Sequence, residues 1–301
     1  MVHNVWMREL RAPFLLLPLI FVPVGIAIAW NHGSFDPLTA ILTLLGVLSL
    51  HASVNVLNDY FDYRSGIDII TTPTPFSGGS RILPAKELSP NSVLMTGLSF
   101  LAVGVGVGAY FALRYALDPL LIIIITIAAI SVVGYSGVLS NWGIGELVAG
   151  LNFGPLLLLG TYYVQTRTVS LEPVVIGLAL GTLTACILFI NEFPDTQADM
   201  QKGRLHLVAR WGKRVAASRF KLLIGSAYLI IILGVLARIV TPFALLALLS
   251  IPKARFAVRV LSENYDKNME LVPAMASTVM ATLWTGGLLL LGYIISAFFH
   301  I

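Results

Sequence analysis

Asn55-Val-Leu-Asn-Asp-Tyr-Phe-Asp-Tyr-Arg-Ser-Gly-Ile-Asp68 closes a long apolar run in a chain that is itself mostly apolar. Asn55, Asn58, Asp59 and Asp62 are three or four residues apart, so on a helix they share one face. Asp68 follows Gly66, which suits a turn that folds this carboxylate back toward the same face. A second stretch repeats the pattern 133 residues on: Asn191-Glu-Phe-Pro-Asp-Thr-Gln-Ala-Asp-Met-Gln-Lys-Gly-Arg204, where Asn191 matches Asn58, Glu192 matches Asp59 and Asp195 matches Asp62. Asp199 extends this second stripe, and Pro194 predicts a kink or a helix end. Ionisable groups at the ends of apolar helices are costly and mark function by default.

The rest of the chain places these motifs in a membrane. Of 301 residues, 57% are hydrophobic and 11% charged, with mean hydropathy +0.88, whereas a soluble domain carries ~25% charged residues. The composition excludes a soluble globule and predicts an all-α, polytopic membrane bundle forming a single domain over residues 1–301. Nine apolar runs predict helices at about 12–30, 38–58, 92–114, 118–139, 144–164, 173–193, 220–238, 240–252 and 272–298. The first run lacks a small-residue cleavage site and reads as a span, not a cleaved leader. Of the 19 Lys and Arg, only Arg114, Arg167 and Arg238 fall on the outer side when the N-terminus is placed inside. The positive-inside rule therefore predicts a multi-pass protein of the cell membrane with a cytoplasmic N-terminus and an outer C-terminus. The same rule accounts for the net charge of +4, so no nucleic-acid partner is needed. The lone Cys186 cannot form an internal disulfide and reads as a small core residue.

The inner loops after the second and sixth helices run to about thirty residues each, and long loops of this kind are commonly functional. Each carries one acidic motif, which predicts two pseudo-repeated halves around a central cavity opening to the cytoplasmic side. Clustered carboxylates stay ionised only when cations compensate them. Hard oxygen ligands suit Mg²⁺, which characteristically takes one or two carboxylates together with substrate phosphates. Two facing acidic patches can thus clamp a diphosphate, with Arg64, Arg81, Lys86, Lys202 and Arg204 available for the remaining oxygens. Gly78-Gly79-Ser80-Arg81 offers backbone N–H groups to an anion or is simply a flexible turn. His51, one turn before Asn55, reads as a hydrogen-bonded structural histidine, and the remaining histidines show no metal-ligand spacing. Tyr162 and Tyr163 read as interfacial anchors. From another class, a secondary transporter also uses repeats and intramembrane polar groups, but its sites lie near the bilayer midplane. A CDP-alcohol phosphotransferase would need its aspartates in one compact D-x-x-D-G motif.

The motifs resemble those of the UbiA superfamily of intramembrane prenyltransferases. Asn58-Asp59-Tyr60-Phe61-Asp62 is similar to its first acidic motif, and Asp195 to Asp199 to its second. Gly78–Pro84 (G-G-S-R-I-L-P), Tyr135-Ser136-Gly137, Gly145-Glu146-Leu147 and Gly160–Thr166 resemble the menaquinone branch, the 1,4-dihydroxy-2-naphthoate prenyltransferases. Three features depart from the pattern: Gly66 stands where the first motif has its last aspartate, no lysine follows Tyr135-Ser136, and Glu192-Phe193-Pro194 is unusual for the branch. The resemblance implies Mg²⁺-dependent transfer from an allylic prenyl diphosphate to an aromatic, quinone-precursor acceptor within the lipid bilayer. Rival acceptors in the superfamily are 4-hydroxybenzoate, geranylgeranylglyceryl phosphate, haem and chlorophyllide. It further implies Asp59, Asp62, Asp68, Glu192, Asp195 and Asp199 as metal ligands, and Asn58, Arg64, Arg81, Lys202 and Arg204 as substrate ligands. Tyr135 and Ser136 would lie near the reacting carbon.

Overall fold

A polar cap followed by proline starts three of the long helices. The side chains of Asp36, Ser89 and Asp118 accept hydrogen bonds from the N–H groups of Leu38, Ser92 and Leu121 at 3.0, 3.1 and 3.0 Å, and Pro37, Pro90 and Pro119 take the first helical position, where no N–H is needed. The computed structural model describes residues 2–135 and 143–299, and among these it is helical with no strand. The principal helices are α1 (Leu16–Asn31), α2 (Pro37–Ser65), α3 (Pro90–Arg114), α4 (Pro119–Gly134), α5 (Gly145–Thr166), α6 (Leu171–Gln201), α7 (Lys213–Leu236), α8 (Ile251–Asn264) and α9 (Val272–Phe299).

Among the described residues, seven helical segments are long and apolar enough to cross a membrane. They are α1 with its lead-in turn from Ala12, α2, α3, α5, α6, α7, and α9 with its lead-in from Asn268. Two of the nine expected spans differ. The predicted 118–139 helix is seen as α4, and its last expected turn, 136–139, lies outside the described residues. The predicted 240–252 helix is instead a 3-10 run, Pro242–Ser250, that passes into α8. Pro242 and Pro252 each lack an N–H, and Lys253, Arg255, Arg259 and Glu263 make α8 amphipathic, so apolar content alone misjudged that segment.

In lipid, apolar burial drives helix association weakly, so close packing and polar ties matter more. α6 is the hub. Leu183, Phe189, Ile190 and Phe193 pack with Phe220 and Ile224 of α7 and Met275 of α9. Ile176, Ala179 and Leu180 pack with Phe21 and Ile28 of α1 and Tyr293 of α9. Cys186 is fully buried in the first of these clusters, as expected. α2 is tied to α3 by Ser53, whose hydroxyl donates to the Gly97 carbonyl at 2.8 Å. At the end remote from the acidic motifs, Glu172 accepts from Tyr293 at 2.8 Å and lies 2.9 Å from His32, whose other ring nitrogen is 2.7 Å from the Tyr162 hydroxyl. Tyr162 and Tyr163 are therefore buried members of the bundle and not the interfacial anchors expected. Tyr163 donates to Asp118 at 2.8 Å.

Candidate active site

α2 ends at Gly66, whose φ of 74° no ordinary side chain takes cheaply, and the chain turns at once into the short helix Ile67–Ile70. That turn buries Asp68 beside Asp59 and Asp62. The loop that follows returns across these carboxylates. Gly79, with φ of 73°, approaches so closely that a Cβ there would stand 2.9 Å from Asp68 Oδ1. Ser80 donates its N–H to Asp59 Oδ2 at 3.0 Å and its hydroxyl to Glu9 at 2.9 Å. The glycine pair is thus a packed cover on the first motif and not a flexible turn, and the Ser80 N–H is already used by Asp59.

α6 brings the second motif to the same place. Arg204 lies between them, 2.6 Å from Asp62 and 3.7 Å from Asp199. The two motifs, far apart in the chain, thus share one guanidinium. Asp62, Asp68, Asp195, Asp199, Glu192, Asn58 and Arg204 all line one cavity of about 410 Å³ that continues between the helices as an apolar chamber. Tyr135, at the end of α4, lines it too. Ser136 falls outside the described residues.

Three expected ligands are placed otherwise. Arg64 is exposed on the other side of α2, where it donates to the Tyr60 hydroxyl at 3.3 Å, because position 64 is out of phase with the acidic stripe. Arg81 donates to the carbonyl of Asp68 and, at 3.4 Å, to that of Thr71, so it pins the covering loop. Lys202 is exposed at the rim, with its ammonium over Gly66.

Other residues enter the site that spacing did not single out. Arg11, just before the first span, forms an ion pair with Asp59 and donates to Asn58 at 3.3 Å. Asn55, which the stripe had singled out, anchors the same segment by donating to the Leu10 carbonyl at 3.0 Å. His206 lies 3.2 Å from Glu192 and 3.3 Å from Asp199. Glu146 completes a cluster with Glu192 and His206 in which one ligand atom from each lies within 4.8 Å of the others. His206 thus enters an acidic cluster although no sequence spacing announced it.

The electrostatics follow from this crowding. Burial disfavours charge on His206, but its bonds to Asp199 and Glu192 outweigh that and push it up to about 9. Burial, then the charges of Asp62 and Asp59, push the Asp68 carboxyl up to about 8, against Arg11 and Arg81. Burial and the charge of Asp59 likewise carry Glu9 to about 7. Carboxylates are therefore in excess over the cations that face them. Asp195 Oδ1, Asn191 Oδ1 and Glu9 Oε1 are buried with no hydrogen-bond partner. Orphaned hard oxygens lining or flanking a cavity are what a Mg²⁺ site requires, so the residues fit that ion.

The family model for the UbiA prenyltransferase family matches residues 16–272. The chain belongs to the UbiA prenyltransferase family. It is a prenyltransferase. It is 29% identical to a 1,4-dihydroxy-2-naphthoate octaprenyltransferase of Escherichia coli, over 97% of this chain and 95% of that one. It is 26% identical to the protein of that name in Bacillus subtilis, over 92% and 89%. A solved UbiA homologue from Archaeoglobus fulgidus, bound to GPP and Mg²⁺, shares the fold with a TM-score of 0.64 at 16% identity, over 95% of this chain and 99% of that one.

Proposed function

We propose that this UbiA prenyltransferase transfers the prenyl group of an allylic diphosphate to 1,4-dihydroxy-2-naphthoate, with Mg²⁺ as cofactor and the acidic end of the cavity on the cytoplasmic side of the cell membrane. The observation that carries the reading is the meeting of both acidic motifs on Arg204 at the mouth of an apolar cavity. The naphthoate acceptor is supported by the relatives in Escherichia coli and Bacillus subtilis, and Mg²⁺ with a prenyl diphosphate by the Archaeoglobus fulgidus homologue and the orphaned oxygens. Orientation rests on the distribution of Lys and Arg.

Asp59, Asp62, Asp195 and Asp199 would hold the metal, with Asp68 and Glu192 behind them. Mg²⁺ when bound supplies positive charge where the departing diphosphate gathers negative charge. The chain's own part is to hold that headgroup. Arg204 and Arg11 would present guanidinium forks to it, and Lys202 would add an exposed cation at the rim. Tyr135, which lines the cavity, would offer a ring face to the allylic cation, a face that attracts positive charge. The apolar walls keep water from that cation until the electron-rich ring of the acceptor takes it. Purified protein, geranylgeranyl diphosphate and Mg²⁺, incubated with a panel of aromatic and lipid acceptors and read by mass spectrometry, tests the proposal. Prenylated naphthoquinol is the expected product, with the acceptor's carboxyl group lost as CO₂ and diphosphate released. A product with 4-hydroxybenzoate alone, or no Mg²⁺-dependent product, would reject it.

A further inference from the structure

His51 is an irregularity in the cavity wall. It lies on α2, one turn before Asn55 and eight residues before Asp59, which sets it ~12 Å deeper than the acidic cluster. There the lining turns apolar, yet His51 is only 7% exposed and its Nδ1 has no hydrogen-bond partner. It is therefore not the hydrogen-bonded structural histidine that its position in the sequence predicted. A buried, unpaired polar atom costs ~1–3 kcal/mol, and that cost is recovered when a small turn of the imidazole toward the cavity it lines lets a ligand supply the missing partner.

The facing wall is irregular at the same level. α5 is interrupted by a π-helical turn, Asn152–Leu156, which contains Pro155. Such turns break the side-chain register of a helix and commonly serve functional sites. Here the turn carries Phe153 to His51, ring centroids 4.6 Å apart and inclined at 63°. Asn152 and Asn55 line the cavity beside them, their amide nitrogens donating to the carbonyls of Val148 at 2.8 Å and Leu10 at 3.0 Å. Phe14 and Leu17 close the niche from the α1 side. One polar patch, bounded by aromatic and aliphatic surface, thus lies two helical turns below the acidic cluster. It suits a flat ring that bears a hydroxyl.

We propose that His51, with Phe153 beside it, binds a ring hydroxyl of the aromatic acceptor and so fixes which ring carbon faces the allylic diphosphate; this rests on the aromatic-acceptor reading above. An imidazole offers one N–H and one lone pair, so it can donate to the hydroxyl oxygen or accept its proton in a hydrogen bond. Apolar contact with Phe153 then sets the plane of the ring.

The test is binding of 1,4-dihydroxy-2-naphthoate to the donor-free protein under anaerobic conditions by titration calorimetry, alongside steady-state kinetics. His51→Phe keeps a flat ring at this position, somewhat larger than imidazole, and removes the hydrogen bond. It is expected to weaken acceptor binding at least tenfold, about 1.4 kcal/mol, while the donor KM stays within twofold. His51→Gln should recover part of the loss. A monomethyl ether of the acceptor should bind the wild type about as weakly as the parent binds His51→Phe, and should lose nothing further in the variant. Equal acceptor affinity in wild type and His51→Phe, or equal losses for donor and acceptor, would overturn the inference, as would a wild type that does not bind the acceptor at all. A wild type that binds dihydroxynaphthoate but forms no prenylated product would reject the proposed function instead, and the binding comparison still decides the role of His51.

Discussion

Arg204 reaches Asp62 at 2.6 Å although 142 residues separate them, and the same guanidinium stands 3.7 Å from Asp199 of its own motif. Two carboxylates brought this close repel unless a cation lies between them, so Arg204 assembles the site as much as it binds substrate. Removing one partner of a buried ion pair leaves a charge unpaired at a cost of ~3–5 kcal/mol. Arg204→Gln is therefore expected to lower kcat/KM for the prenyl diphosphate by at least ~100-fold, which is ~2.7 kcal/mol of transition-state stabilisation. Arg204→Lys keeps the charge but loses the fork, and should fall by ~10-fold. Steady-state kinetics with saturating acceptor decide it, and a Gln variant as fast as wild type would mean the two motifs act independently.

Arg11 is the corresponding clasp from the N-terminal side. It is paired with Asp59 and bonded to Asn58, and both contacts cross from the segment before α1 to the end of α2. If the pair is one unit, breaking it twice should cost little more than breaking it once. In a thermal-stability cycle of Arg11→Gln, Asp59→Asn and the double variant, the double should be less destabilised than the sum of the singles by at least ~1 kcal/mol. Strict additivity would separate the two residues and leave Arg11 as a topological cation alone.

The acidic motifs were readable because their spacing is local. Asn55, Asn58, Asp59 and Asp62 share a helix face by geometry that needs no knowledge of the tertiary fold, and the second copy repeats it. Arg11 and His206 were not readable on the same terms. Arg11 precedes an apolar run, where a cation already has a sufficient explanation in membrane topology. His206 gains its meaning from Glu146, sixty residues earlier on another helix. Arg64 shows the reverse error. It stands two residues after Asp62 and looks like a ligand, but two residues on a helix turn it to the opposite side. In the 242–264 stretch, hydropathy registered apolar content but not the paired prolines that convert a straight span into 3-10 turns followed by an amphipathic helix.

Asp68 makes metal binding a proton-linked event. Its carboxyl is pushed up to about 8 in the metal-free protein, whereas an unfolded chain has it at ~3.9. A raised carboxyl pKa contributes stability that is fully present below the unfolded value and is lost as pH rises through the folded one. The metal-free protein should therefore lose thermal stability progressively from about pH 4 to about pH 8, and Mg²⁺, which favours the carboxylate, should restore it most at the upper end. Calorimetric titration of Mg²⁺ with pyrophosphate at pH 7, in two buffers of different ionisation heat, should show net proton release. Asp68→Asn should diminish that release and flatten the stability slope. Proton uptake on Mg²⁺ binding would contradict the assignment.

The far end of the cavity sets a limit on the donor tail. Along α2 the lining runs from Asp62 to Thr43, nineteen residues or ~28 Å, close to the ~30 Å thickness of the hydrocarbon core. Phe111, Leu121 and Val164 close that end as a buried cluster. Tyr115 backs it, stacked on Phe111 at 6.1 Å, bonded to the Val164 carbonyl at 2.7 Å and covered by the Arg167 guanidinium at 3.9 Å. A floor held from three sides does not yield easily to a longer chain. Phe111→Ala should shift preference toward longer prenyl diphosphates, raising their kcat/KM relative to geranylgeranyl diphosphate by ~10-fold, the scale of one to two buried methylenes. Ala128 lies midway between Leu121 and Tyr135 on α4 and lines the same wall. Ala128→Phe should accordingly reject long donors while still accepting geranyl diphosphate. Competition assays with mixed donors, read by the mass of the product, test both variants. Unchanged length profiles in both would mean that the tail leaves the cavity between helices before it reaches Phe111.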